Sequence, residues 1–135
     1  MPQPSFLIAS LYVALGGGFG AWLRFLVGRA WTAALGPVRA GEFPYATLTV
    51  NVLGSLLMGL LVGWLARFGT HGETTRLVLA IGVLGGFTTF SSFSLDIVSL
   101  AERGQLGLAA FYTGISVIAG AASLFLGLLL MRSAA

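Results

Sequence analysis

The chain has 135 residues, 57% hydrophobic and 8% charged, whereas a soluble domain carries about a quarter charged residues. This balance excludes an ordinary soluble domain and points to a small, all-α integral membrane protein with one membrane domain over residues 1–135. Cys is absent, which excludes disulfides, thiolate metal sites and cysteine nucleophiles; the formal net charge of +3 rests on arginines scattered through connectors and helix ends, a pattern of interfacial anchors and no nucleic-acid surface.

A membrane-crossing helix needs about 20 apolar residues for a hydrocarbon core of roughly 30 Å. The first run that long covers residues 6–28. It lacks a basic leader or an obvious cleavage site, so it reads as a retained span and not a signal peptide. Its GGGFGA stretch, Gly16 to Ala21, lacks the preceding strand and following acid of a dinucleotide-binding turn, so these glycines read as helix-packing positions. Arg24 lies near the end of this span, where it either draws anions into a vestibule or snorkels to the headgroups. A connector with Pro37, Gly41 and Pro44 is expected from Arg29 to Pro44.

The second span is expected over residues 45–66. Thr47, Asn51, Ser55, Gly59 and Gly63 follow at intervals of four and share one helix face, polar in its first half and a GxxxG packing surface in its second. A buried Asn51 needs partners for both amide oxygen and amide nitrogen. On this span alone it either links helices or lines a polar passage. The following connector, RFGTHGETTR, is polar, and its His71 reads as solvated.

The third span, residues 77–100, centres on GGFTTFSSFS, Gly85 to Ser94. Gly85 and Gly86 weaken the helix by about 1 kcal/mol each relative to Ala, and Thr88 and Thr89 follow at once. Small residues and back-bonded hydroxyls could serve close packing. That reading leaves unexplained ten consecutive residues without an aliphatic side chain. Irregular backbone at membrane depth persists only when buried in protein or lining a polar cavity. The third helix is therefore expected to break near the membrane midplane, with the hydroxyls facing a passage. Phe90 and Phe93, three apart, share a face among these hydroxyls. Phenyl edges carry positive quadrupole character.

The fourth span, residues 106–131, presents Tyr112, Ser116, Gly120 and Gly127 along one side. Asp96 lies about one turn before the end of the third span, and no acid lies deeper in any span. Hydroxyl and amide donors without carboxylates suit an anion. Both termini and the second connector share one membrane side, with Arg67, Arg76 and Arg132; Arg29, Arg39 and Arg103 fall on the other. The positive-inside rule needs an imbalance. Without one, the chain is expected to insert both ways and to pair as an antiparallel, dual-topology homodimer; the alternative is a fixed topology decided by details such as Arg24 or Arg29.

Three segments, GAWLR, TLTVNVLGSLLMG and GVLGGFTTFSSFS, together resemble the Fluc (CrcB-type) fluoride channels, and the likeness runs over essentially the whole chain. The resemblance implies an antiparallel homodimer in the bacterial inner membrane, with two fluoride pores at its interface, that passively exports cytoplasmic fluoride and so gives fluoride resistance. It assigns Phe90 and Phe93 to the pore rings, Asn51 to the pore amide, and Thr89, Ser92, Tyr112 and Ser116 to the polar lining. Arg24 matches a vestibule arginine. Gly85 and Thr88 match positions whose backbone carbonyls hold a structural sodium ion, with no organic cofactor. Ser92 stands where Thr is common, Gly120 where some members have Ser, and Asp96 where Glu can occur.

The rival is a small multidrug-type proton-coupled exporter, which needs a carboxylate deep in its first span; residues 6–28 contain none. A non-transporting assembly subunit would explain the glycines but not the hydroxyl cluster. An intramembrane enzyme would need a His or an acid at depth to activate a serine, and the spans offer neither.

Overall fold

The computed structural model describes residues 4–68 and 72–133. His71 lies outside the described residues. The fold is all-α, and four helical runs among the described residues are long and apolar enough to cross a membrane: Phe6–Glu42, Tyr45–Phe68, Gly72–Glu102 and Leu106–Ser133.

Helix α1, Phe6–Glu42, outruns its expected span. Residues 30–35, AWTAAL, contain good helix formers and no breaker, so Arg29 does not end the helix. The kink comes at Gly36, whose φ of 78° and ψ of 160° leave helical space. Glycine adopts this φ without a Cβ penalty, and Pro37 is well suited to open the next turn because it has no N–H to satisfy. The straight part before the kink covers roughly 45 Å at 1.5 Å per residue, more than a hydrocarbon core of about 30 Å.

Helix α2 spans Tyr45–Phe68. After it, α3 (Gly72–Thr75) leads into a π-helical segment, Arg76–Leu84. The Gly85 N–H reaches five residues back to the Ala80 carbonyl, the bond pattern of a π turn. Helix α4 is a single turn, Gly85–Phe87. Thr88 (φ −81°, ψ 158°) and Thr89 (φ −153°, ψ 121°) are extended, and α5 runs Phe90–Glu102. Gly104 closes α5 at φ 76°: its N–H bonds the Ala101 carbonyl and the Gln105 N–H bonds the Leu100 carbonyl, a Schellman pair. Helix α6 is Leu106–Ser133.

Two tight pairings build the molecule. Helix α1 lies on the π-helical segment and α4, and α2 lies on α6. A methyl at Gly16 would stand 2.7 Å from the Val78 carbonyl oxygen and 3.0 Å from the Gly82 Cα, so backbone meets backbone there. The second GxxxG half of α2 serves packing as its spacing implies: a methyl at Gly63 would lie 2.7 Å from Met131 Cβ, and one at Gly127 would lie 2.7 Å from Leu60 N. Leu100, Ala109 and Tyr112 form a small buried cluster with Phe43, Leu48, Phe93, Ile97 and Leu108 against it. Phe6, Leu15, Leu106, Ile118 and other large apolar side chains stay exposed, as suits a lipid-facing surface.

Candidate functional site

Asn51 organises the site. Its Oδ1 accepts from the Thr89 N–H at 2.9 Å, and its Nδ2 donates to the Thr89 carbonyl at 3.1 Å. One side chain thus pairs both polar groups of an extended residue, as a neighbouring β-strand would. The amide is a clamp between α2 and the third helical run, 38 residues apart in the chain.

The clamp redirects the helix hydrogen bonds. In a continuous helix the Thr89 N–H would bond the Gly85 carbonyl, and the Ser92 N–H would bond the Thr88 carbonyl. Here the Thr89 N–H is held by Asn51, and the Ser92 N–H donates to Thr89 Oγ1 at 3.2 Å, so Thr89 caps α5. The carbonyls of Gly85 and Thr88 both lose their usual helical donor. Arg24 turns inward: its Nη1 lies 3.5 Å from the Thr88 carbonyl oxygen.

Around the clamp the hydroxyls connect. Thr89 Oγ1 donates to Ser92 Oγ at 3.2 Å and pairs with Ser91 Oγ at 3.2 Å. Asn51, Thr88, Thr89 and Phe90 line a cavity of about 280 Å³ together with Gly54, Ser55, Met58 and Leu124, and none of these residues is acidic. The two phenylalanines differ in setting. Phe90 is 79% exposed, while Phe93 packs against the buried cluster, its ring centroid 5.4 Å from that of Tyr112. The two rings lie 5.8 Å apart.

On α6, Tyr112 is fully buried and donates its hydroxyl to Asp96 Oδ2 at 3.1 Å. Ser116, one turn further on, is 8% exposed, and its Oγ has no hydrogen-bond partner. Asp96 also lines a polar cavity of about 390 Å³ with Arg29, Trp31, Thr32, Tyr45 and Thr47. Asp96 lines a second, smaller cavity with Phe43 and Arg103. The Arg103 guanidinium donates to the Gly41 carbonyl at 3.0 Å, tying the tail of α1 to the α5–α6 turn.

Sequence reasoning placed Asp96 near a membrane interface without assigning it a partner; Tyr112 supplies one. It also treated Arg29 as the start of a connector, whereas Arg29 stands on α1 beside the larger cavity. Nothing local signals either contact. The sequence-predicted residues Asn51, Thr88, Thr89, Phe90, Ser92 and Arg24 gather at the clamp; Phe93 and Tyr112 adjoin each other on its far side; Ser116 sits on the same α6 face as Tyr112. No group of three His, Cys, Asp or Glu able to hold a metal occurs among the described residues.

Comparison with known proteins adds a family and relatives. The family model for CrcB-like protein, Camphor Resistance (CrcB), matches residues 11–128. The chain is 57% identical over 129 residues to the fluoride-specific ion channel FluC of Novosphingobium aromaticivorans, covering 96% of this chain and 100% of that one. It is 52% identical to the protein of the same name from Sphingopyxis alaskensis, covering 89% of this chain and 92% of that one. It is 53% identical to that from Agrobacterium fabrum, covering 90% and 94% respectively.

Proposed function

The chain belongs to the CrcB-like family, a family of ion channels and not of enzymes, and from that premise we propose that it is a fluoride-selective channel that passively releases cytoplasmic fluoride across the bacterial inner membrane. The observation that carries the reading is the Asn51–Thr89 clamp: it holds hydroxyl and amide donors around a cavity with no carboxylate, at the residues the likeness to fluoride channels picks out.

Fluoride is small and strongly hydrated, so a passage must replace its water with donors, since burying a charge without partners is very costly. Asn51, Thr89 and Ser92 offer donors near the clamp; Ser116 and Tyr112 continue them along α6. Phe90 and Phe93 turn ring edges toward the ion, whose charge meets the positive rim of the quadrupole. Arg24, whose guanidinium reaches the Thr88 carbonyl, lends positive charge beside the clamp. A carboxylate-free, donor-lined path favours a small anion over a cation and, by its narrowness, over chloride. Each 100 mV of inside-negative potential favours exit of one anionic charge by about 2.3 kcal/mol. The membrane voltage alone therefore drives export.

The path is completed by a second copy in the antiparallel sense, giving two pores at the interface. Phe90 supports this: a ring 79% exposed in one chain needs cover if it is to meet an ion away from lipid. The break between α4 and α5, placed near the midplane, would bring two sets of Gly85 and Thr88 carbonyls to the two-fold axis. Both carbonyls have lost their helical donors, and such hard oxygens fit a sodium ion, which would neutralise them and brace the dimer.

Proteoliposomes loaded with potassium fluoride test the reading. Fluoride efflux should appear only when valinomycin supplies a potassium path, and chloride-loaded vesicles should stay silent. Comparable chloride flux, or proton-coupled uptake of a cationic drug, would overturn it and favour the exporter.

A further inference from the structure

We propose that Ser55 is a further anion-contacting residue of the path, supplying from α2 the hydroxyl that α6 does not provide at Gly120. The proposal rests on the channel reading above and extends its donor line by one position.

Three residues four apart mark the polar face of α6: Tyr112, Ser116 and Gly120. Two carry hydroxyls and the third carries none. Helix α2 packs directly on α6, and its own face runs Thr47, Asn51, Ser55. A Cβ built on Gly120 would lie 3.6 Å from Ser55 Oγ, so the Ser55 hydroxyl occupies the level at which the α6 series stops. Ser55 also lines the 280 Å³ cavity with Asn51, Thr89 and Phe90, one turn beyond the clamp.

The state of the hydroxyl points to a ligand. Several hydroxyls in these helices satisfy themselves by bonding the carbonyl four residues back: Thr32 to Gly28, Thr49 to Tyr45, Ser94 to Phe90 and Thr113 to Ala109. Ser55 makes no such bond, nor any other hydrogen bond among the described residues. Ser116 Oγ on the facing helix is likewise unpartnered and buried. An unpaired hydroxyl in a membrane protein is costly unless something arrives to accept its proton. A small anion passing through the cavity does so. The absent side chain at Gly120 then provides clearance beside the donor and not a gap in the line.

The experiment uses the full chain in proteoliposomes, reading fluoride efflux and the dimer fraction in detergent for the parent, Ser55→Ala, Ser55→Thr and the double variant Ser55→Ala/Gly120→Ser. Loss of one hydrogen bond to a charged group predicts that Ser55→Ala slows fluoride efflux roughly tenfold or more. Its dimer fraction should match the parent. Ser55→Thr keeps the donor and should retain flux. Gly120→Ser restores a hydroxyl from α6 and should recover flux in the double variant, which a packing role for Ser55 would not produce. Parent-like flux in Ser55→Ala overturns the proposal, as does a loss that neither Thr nor the added serine restores. A parent that moves no fluoride defeats the channel reading itself, a separate outcome.

Discussion

At the residue scale, chemically alike side chains have different settings. Phe90 and Phe93 are the same residue three positions apart, yet Phe90 is largely exposed in the single chain and Phe93 belongs to the cluster around Tyr112. Replacement by Ile keeps apolar bulk and removes the aromatic edge. Phe90→Ile is expected to stop fluoride flux and to lower the melting temperature less than Phe93→Ile, because within its own chain Phe90 is largely exposed. Phe93→Ile should stop flux and also destabilise by roughly 1 kcal/mol, since it loses a ring pair worth about 0.5–1.5 kcal/mol. Efflux and thermal unfolding in detergent measure both. Wild-type conduction by both variants would make these rings packing residues only. Polar residues show the same dependence on setting. Asn51 could be singled out from sequence because a buried amide needs partners on both ends. Its partner could not, because Thr89 comes to it only through the packing of separate helices.

At the element scale, hydropathy made the spans legible, and the Gly-Gly-Phe-Thr-Thr stretch marked where the third run changes character. The π-helical segment and the long α1 were not legible. A π turn leaves no periodic signature in a continuous apolar run, and the end of α1 depends on backbone freedom at Gly36 more than on the charge at Arg29. The proposed sodium site depends on the clamp, which diverts the helical donors of Gly85 and Thr88. Arg24 complicates that site, for its guanidinium already approaches the Thr88 carbonyl at 3.5 Å. A carbonyl oxygen has two lone pairs, so one cation need not displace the other, but the two charges repel. Replacing sodium with N-methylglucamine during purification and assay separates the cases. With a structural sodium, the dimer fraction and the fluoride flux should fall together and return when sodium is restored. If neither changes, Arg24 alone balances the freed carbonyl. Gly85→Leu should abolish the sodium response, whereas Thr88→Ser keeps the backbone oxygen and should retain it.

At the scale of the whole molecule, the donor line is incomplete in a single chain. The hydroxyls near the clamp and the exposed ring of Phe90 lie at an open face, while the α1–π and α2–α6 pairings are already closed by glycine contacts. In the proposed assembly a second copy covers this face without bringing new chemistry, and its orientation would depend on charge. Helices are oriented by an excess of Lys and Arg in the short cytoplasmic connectors. Here Arg67, Arg76 and Arg132 on one side balance Arg29, Arg39 and Arg103 on the other, and Arg24 is turned inward to the Thr88 carbonyl. With the two sides matched, the arginine balance favours neither insertion, so in the proposed assembly one gene product would supply both halves of an antiparallel pair. Fusion of a cytoplasm-active reporter and, separately, of a periplasm-active reporter to the C-terminus should therefore give signal from both. Three lysines added at the C-terminus should draw most copies into one orientation and reduce fluoride flux, because partners of the opposite orientation become scarce. Co-expression with a variant biased the other way, such as one carrying added lysines in the α5–α6 turn, should restore flux. A wild-type C-terminus confined to one face, with full flux, would mean that orientation is fixed by something other than the arginine balance and that the antiparallel pair is the wrong assembly.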